Sequence, residues 1–290
     1  MISLEKETRE ILRTYGIVAN KKLGQNFLIS EDVISTIISE SNLSKEDLVI
    51  EIGPGLGTLT KYLLDNAGKV ICIELDPKMI YILNERFSGR DNLEIIHDDI
   101  LKVNLNEIIG NNRQYRNVRV VANLPYYITT PIIMKLLENQ YQIDTITIMI
   151  QKEVAERIVA SPGGKDYGVL TLSVGYYASS RIIANAQNTD FIPAPSVDSA
   201  VVLLEVYKDK KYDVKNEKML FGLIKGGFSQ RRKVFLNSVE SYLNFYGIEK
   251  QDFIEVLSKH NIDSLRRAET ISLEEFISIT NDINDKIIKE

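Results

Sequence analysis

A strand that runs straight into a glycine-rich turn limits this chain more than any other feature. Leu48-Val49-Ile50-Glu51-Ile52 reads as a short buried strand. Gly53-Pro54-Gly55-Leu56-Gly57 follows at once, and a helical stretch from Thr58 to Asn66 comes next. Glycine reaches backbone conformations closed to other residues and lets a ligand approach the main chain closely. The pattern then repeats: Val70–Leu75, Leu93–Ile96, Val118–Ala122 and Thr145–Gln151 read as further strands with helical stretches between them. Pro77 opens one of these helices, and Pro131 sits in the first turn of another, where its missing N–H costs nothing. Alternating strands and helices predict an α/β fold with a mostly parallel, doubly wound sheet. Two more strands are expected at Thr171–Ala178 and Ser199–Tyr207, the first with Tyr176 and Tyr177 packed in the sheet. Charge clusters at Lys208–Asp213. Every later segment has helical period, and Ser272-Leu273-Glu274-Glu275 is a capping box. The expected organisation is a basic, amphipathic and partly mobile arm over residues 1–22, an α/β domain over 23–209 and a small all-helical domain over 210–290.

In open α/β sheets ligands sit beyond the carboxyl ends of the strands, and the chemistry of this chain collects there. Glu74 closes the second strand 21 residues after Gly53, where a carboxylate can accept from ribose hydroxyls. A dinucleotide fingerprint needs its third glycine at the sixth position, which is Thr58 here; this chain has it at the fifth. That spacing resembles the S-adenosylmethionine-binding turn of Rossmann-like methyltransferases. On that reading Asp99, at the end of the third strand and next to Asp98, would accept from the amino group of the cofactor's adenine. The fourth strand ends in Val120-Val121-Ala122-Asn123-Leu124-Pro125-Tyr126-Tyr127. Proline cannot donate to a sheet ladder, so Pro125 stops the strand and leaves Asn123 at its tip. The Asn123 amide, the Leu124 carbonyl and the Tyr126 ring then converge where a ligand would lie. An amide donates and accepts but is no base near neutral pH. An amide beside a flat ring suits a nucleobase. Taken alone, the tetrapeptide is better explained by a capped strand end with both tyrosines in the core.

The chain has 290 residues, 44% of them hydrophobic and 26% charged, the balance of an ordinary globular protein. Its net charge of −5 argues against a surface that is basic throughout. Basic residues are locally concentrated, however. Lys21 and Lys22 lie in the first segment. Lys225, Arg231, Arg232 and Lys233 face only Glu240 within residues 221–240, with Phe228 among them. The segment from Lys225 to Lys233 reads equally as a solvated helix face and as a contact for an RNA backbone. Cys72 is the only cysteine, and the histidines are His97 and His260, so neither an internal disulfide nor a metal cluster is expected. No apolar run approaches membrane-spanning length, and the N-terminus lacks the apolar stretch of a secretory signal; a cytoplasmic protein is expected.

Further motifs run nearly end to end. They are Lys21-Lys22-Leu23-Gly24-Gln25-Asn26-Phe27-Leu28, Glu51–Gly57, Asn123-Leu124-Pro125-Tyr126, Gln151-Lys152-Glu153-Val154-Ala155, Pro162–Gly168, Phe191–Val201, Phe228–Lys233 and Arg267-Ala268-Glu269. With these the chain resembles the ribosomal RNA adenine N6-dimethyltransferases, and most of all their bacterial small-subunit branch. Asp98 stands where that family usually has glycine before the aspartate. The resemblance implies a class I methyltransferase domain with a helical C-terminal domain and S-adenosyl-L-methionine as cofactor. It implies contacts to the cofactor from Asn26, Leu28, Gly53, Gly55, Glu74, Asp99 and Asn123. The implied reaction is dimethylation of N6 on two adjacent adenines in a hairpin near the 3′ end of 16S rRNA, within the small subunit or its precursor. Asn123 and Leu124 would receive the adenine N–H groups, and Tyr126 and Phe191 would clamp the base. A monomer without metal or membrane contact is expected. Two other readings stay open: a large-subunit adenine methyltransferase of the antibiotic-resistance type, and an assembly factor that keeps the fold without activity. A nicotinamide-dependent dehydrogenase is more distant, and DNA adenine methyltransferases usually carry Asp-Pro-Pro-Tyr rather than Asn-Leu-Pro-Tyr.

Overall fold

Strands built from runs of Val, Ile and Leu without polar alternation must be covered on both faces, and helices supply that cover. The structure is a computed structural model describing residues 3–20 and 23–289. The elements are, in order, α1 (Leu4–Thr14), β1 (Phe27–Leu28), α2 (Glu31–Ser41), β2 (Asp47–Ile52), α3 (Thr58–Asn66), β3 (Lys69–Glu74) and α4 (Pro77–Arg86). Then come β4 (Leu93–His97), α5 (Leu105–Gly110), β5 (Asn117–Asn123), α6 (Thr129–Glu138), β6 (Thr145–Gln151), α7 (Lys152–Ile158) and α8 (Val169–Tyr177). The remainder is β7 (Ala178–Ala186), β8 (Phe191–Ile192), β9 (Ser199–Val206), α9 (Glu217–Phe228), α10 (Phe235–Phe245), α11 (Lys250–Lys259) and α12 (Leu273–Lys289).

Among the described residues seven strands form one sheet in the order β4-β3-β2-β5-β6-β9-β7. The β4-β3-β2-β5-β6 part is parallel, and β9 and β7 join antiparallel. β2 lies centrally and is buried along its whole length. Chain order reverses between β2, from which the chain proceeds toward β4, and β5, which lies on its other side. The ends of these two strands therefore flank a topological switch point, where α/β sheets bind ligands. The α/β fold with a mostly parallel, doubly wound sheet expected from the strand pattern is the one observed.

The chain divides into two compact units. One takes the residues up to Ala155 together with Ala178–Lys208, and the other takes Glu156–Tyr177 with the chain from Asp209 on. The chain thus enters the helical unit twice, whereas the sequence pattern suggested a single boundary near residue 210. The strand expected at Thr171–Ala178 is helix α8, and β7 begins only at Ala178. Thr171, Leu172, Ser173, Val174 and Tyr176 are all buried in that helix. A helix buried all round shows no 3.6-residue polar period, and its Thr, Val and Tyr content resembles a strand. Tyr176 and Tyr177 accordingly pack outside the sheet. The Tyr176 ring lies 5.8 Å from Tyr212 and 5.3 Å from Phe221 of α9, within the helical unit's own core.

The arm expected over residues 1–22 is also different. Residues 4–14 form α1, with Leu4 and Thr8 buried and the Ser3 hydroxyl capping the helix at the Lys6 N–H. Ile11, Leu12 and Tyr15 pack on Phe27, Leu56, Met79 and Ile82. Glu7 pairs with Arg86 at 2.5 Å, and Arg86 also donates to the Leu56 carbonyl. Lys21 and Lys22 lie outside the described residues. In the helical unit the capping box forms as expected: the Glu275 N–H donates to the Ser272 hydroxyl at 3.2 Å, and the Ser272 N–H to the Glu275 carboxylate at 2.7 Å.

Candidate active site

The glycine turn meets the sheet beside the end of β3. Gly53, Gly55 and Gly57 all have positive φ, at 64°, 56° and 79°. At Gly55 a Cβ would also come within 3.2 Å of the Phe27 ring. At Gly57 it would reach 2.5 Å from the Phe87 ring, so a side chain there would push α4 away from the turn. The Gly53 N–H donates to the Ile73 carbonyl at 3.0 Å and ties the turn to β3.

Glu74 stands at the centre of this arrangement. One of its carboxylate oxygens accepts from the Gly55 N–H at 3.1 Å; the other accepts from the Leu75 and Asp76 N–H groups, each at 2.8 Å. Burial pushes its carboxyl up, against the pull of those three N–H groups. Behind it, Glu51 is fully buried and takes a hydrogen bond from the Thr60 hydroxyl at 2.6 Å and a weaker one from the Cys72 thiol at 3.4 Å. Burial drives the Glu51 carboxyl up to about 7. Cys72 is a buried core residue, and its thiol is pushed well up by burial and by the neighbouring Glu51.

At the end of β5, the Asn123 Nδ2 donates to the Asn26 carbonyl at 3.0 Å. That contact fixes the amide and leaves Oδ1 as its accepting atom. Asn26 is held in turn, its Nδ2 donating to the Gly24 carbonyl at 3.2 Å. The Leu124 N–H donates to the Met149 carbonyl at 3.0 Å, which holds the peptide after Asn123 against β6. Asp98 and Asp99 form a turn in which the Asp99 N–H donates to Asp98 Oδ1 at 2.7 Å and the Leu101 N–H to Asp99 Oδ1 at 2.9 Å.

These groups share one cavity of about 1060 Å³, its open mouth included. Its walls hold every residue expected to touch the cofactor: Asn26, Leu28, Gly53, Gly55, Glu74, Asp99 and Asn123. Leu124 and Tyr126 line it as well. Both Asp98 and Asp99 face it, so the geometry favours neither. Phe191 does not reach it: it is 3% exposed, pairs with Leu28 across the β1–β8 ladder and belongs to the core around Ile34, Val49 and Leu63. The expected second clamp on a base is thus a core side chain in this structure. It lies in a strand that needs its apolar face for packing.

Lys225, Arg231, Arg232 and Lys233 belong to the helical unit and are exposed at the end of α9 and in the loop after it. Arg231 differs from the other three. Its Nη2 donates to the Tyr167 carbonyl at 3.1 Å and, more weakly, to the Lys165 carbonyl at 3.3 Å. Among the described residues no group of His, Cys, Asp and Glu is placed to hold a metal, and no helix is long and apolar enough to cross a membrane.

Sequence reasoning missed several residues of the cavity wall and its support. Gln25 takes the Asn20 N–H at 2.8 Å on Oε1 and donates through Nε2 to Asp76 at 2.8 Å, joining the segment before β1 to the cap of α4. Asp76 caps α4, its carboxylate accepting from the Lys78 N–H at 2.9 Å. Tyr127, 57% exposed, lines the mouth. Ser199 hydrogen bonds Tyr126 from 73 positions away, a separation no local pattern reports.

Comparison with known proteins gives the family of the chain. Residues 17–285 match the family of ribosomal RNA adenine dimethylases. The chain is 45% identical over 286 residues to the ribosomal RNA small subunit methyltransferase A of Clostridioides difficile, covering 99% of this chain and 98% of that one. A dimethyladenosine transferase from Plasmodium falciparum superposes with a TM-score of 0.76 at 26% identity, covering 90% of this chain and 98% of the other. The 23S rRNA methyltransferase ErmE shares the fold, with a TM-score of 0.69 at 23% identity over 89% of this chain and all of its own. With its glycine turn, Glu74 and Asn123 gathered in one cavity and a family match over nearly its whole length, the chain belongs to the ribosomal RNA adenine dimethylases.

Proposed function

We propose that this protein dimethylates N6 of two adjacent adenines in a hairpin near the 3′ end of 16S rRNA, in the small subunit or its precursor, using S-adenosyl-L-methionine. The observation that carries the reading is the pairing, in one cavity, of Glu74 held by three backbone N–H groups with an Asn123 amide oriented by the Asn26 carbonyl. The 45% identity to a small subunit methyltransferase over nearly the whole chain supports this branch over the large-subunit one. The fold shared with ErmE supports neither branch over the other.

Glu74, Asp99 and the glycine turn would hold the cofactor, with Asn26 and Leu28 closing over it. When bound, S-adenosyl-L-methionine supplies a methyl group on a sulfonium sulfur. The residues at the tip of β5 then have one task. The N6 lone pair of adenine is delocalised into the ring and is a poor nucleophile. Accepting its N–H groups on Asn123 Oδ1 and the Leu124 carbonyl favours a more tetrahedral nitrogen and aims the lone pair. Tyr126 supports the base by stacking. Orientation of this kind is worth roughly 7–11 kcal/mol in favourable cases, and it asks for no side-chain base, because the N6 proton leaves to solvent after each methyl is transferred. Arg232, Lys233 and Lys225 would meet RNA phosphates, together with Lys21 and Lys22. The protein would act as a monomer in the cytoplasm, without metal.

The test is methyl transfer from labelled S-adenosyl-L-methionine to unmethylated small subunits, large-subunit RNA and duplex DNA in parallel, with products mapped by mass spectrometry. Dimethyladenine on the small subunit alone is expected. Label on large-subunit RNA would move the protein to the other branch. Tight small-subunit binding without any label would make it an assembly factor.

A further inference from the structure

β9 opens with Ser199-Ala200-Val201-Val202-Leu203-Leu204, an otherwise apolar run that begins with a buried hydroxyl. A buried hydroxyl needs a partner, and its partner here is in the candidate active site. Ser199 Oγ lies 2.7 Å from Tyr126 Oη. Ser199 is fully buried, 0% exposed, and is paired on both sides within the sheet, with Gln151 of β6 and Ala186 of β7. A serine held between two neighbouring strands cannot follow a moving side chain.

Tyr126 is anchored differently. It begins a single 3₁₀ turn, Tyr126–Ile128, outside the sheet and after Pro125. The Ile128 N–H and the Thr129 hydroxyl both donate to the Pro125 carbonyl, at 3.3 and 3.1 Å, which holds the backbone of the turn. Two side-chain torsions remain. A hydrogen bond at the far end of the ring removes that freedom and sets the plane of its face. Burial pushes the Tyr126 phenol up, so it remains a neutral hydroxyl able to share this bond. Phe191 lies in the core, so the cavity offers no aromatic clamp from that side, and the angle of Tyr126 matters more.

We propose that Ser199 is a positioning residue for base recognition, fixing the Tyr126 ring through its hydroxyl at the angle that receives the target adenine. This rests on the function proposed above. A loss of one such hydrogen bond is expected to lower kcat/KM for the RNA substrate by about 3- to 10-fold.

The experiment is a double-mutant cycle on purified full-length protein with unmethylated small subunits as substrate. Ser199→Ala and Tyr126→Phe each remove one partner of the same bond. Each should lower kcat/KM for the subunit and leave the S-adenosyl-L-methionine dissociation constant unchanged, and the double variant should be no worse than either single one. A general packing defect would instead add its loss to that of Tyr126→Phe, and that result overturns the proposal. So does Ser199→Ala with wild-type kcat/KM, or a parallel fall in cofactor affinity. If Ser199→Ala does not fold, Tyr126→Phe decides alone: full activity sinks the proposal, and the expected loss at unchanged cofactor affinity sustains it. If the unmodified protein methylates no ribosomal RNA, the functional reading fails instead, a result distinct from an active protein indifferent to these changes.

Discussion

Asn123 acts through orientation, and orientation can be removed without touching the sheet. We expect Asn123→Ala to lower methyl transfer by roughly 100-fold or more, as for loss of one aligned hydrogen-bonding group at a reacting centre. Cofactor affinity should stay within about one order of magnitude. Single-turnover kinetics and calorimetry check the two halves, and near-normal turnover would remove Asn123 from its role. Glu51 makes a pH-dependent prediction. Burial raises its carboxyl from its ordinary value of 4.5 to about 7. Between those values the folded chain keeps a proton that the unfolded chain has released. Stability of the cofactor-free protein should therefore fall as pH rises through that window, by about 1.4 kcal/mol per pH unit at most, and level off above it. Glu51→Gln should flatten this slope, read as a smaller change in denaturant midpoint between acidic and neutral pH. An unchanged slope would mean that Glu51 does not titrate there. The residue types at this site were legible because few side chains do the same work at a strand end. Their partners were not, since Asn26 reaches Asn123 across 97 positions and Ser199 reaches Tyr126 across 73.

Elements in this fold are held to one another by a few buried polar contacts as well as by apolar packing. At the start of β2 the Asp47 carboxylate, fully buried, accepts from Arg119 Nε at 2.9 Å and Asn117 Nδ2 at 2.7 Å, both on β5, and from the Ser44 N–H at 2.8 Å. Burial works to raise its carboxyl, but the hydrogen bonds and the Arg119 charge prevail and hold it below the usual range. We expect Asp47→Ala to leave the charged Arg119 with only the Thr145 hydroxyl, 3.2 Å from its Nη1, and to cost about 3–5 kcal/mol in denaturant unfolding. A loss under about 1 kcal/mol, as for exposed pairs, would show that Arg119 reaches water instead. The strand–helix alternation was readable at this scale because parallel strands are buried on both faces and helices between them are amphipathic. α8 was not readable, because burial on every side erased its period. α1 was misjudged for the opposite reason: its charged residues suggested a solvated arm, and Glu7 instead pairs with Arg86 while Leu4 and Thr8 are buried.

At the scale of the whole molecule, a chain of net charge −5 that acts on RNA must separate its charges. In the helical unit Arg231 is occupied with the Lys165 and Tyr167 carbonyls, while the Arg232 and Lys233 side chains make no ion pair among the described residues. We therefore expect Arg232→Ala and Lys233→Ala each to weaken small-subunit binding and to reduce the slope of log Kobs against log salt by about 0.7–0.9 per lost phosphate contact. Arg231→Ala should weaken binding with little change in slope and lower the melting temperature of the protein. Equal slope changes for all three would place Arg231 on the RNA as well. The sequence by itself determined the α/β class, the glycine turn, Glu74 and the Asn123–Tyr126 tip. It did so because local rules act there: strand period, positive-φ glycine and a proline that ends a ladder. Only the tertiary structure decided that α8 belongs to the helical unit, that Phe191 fills the core and that Asn26, Ser199 and Gln25 hold the site in shape. Those outcomes depend on which distant surfaces bury one another, and side chains far apart in sequence become partners only once the sheet has closed around them.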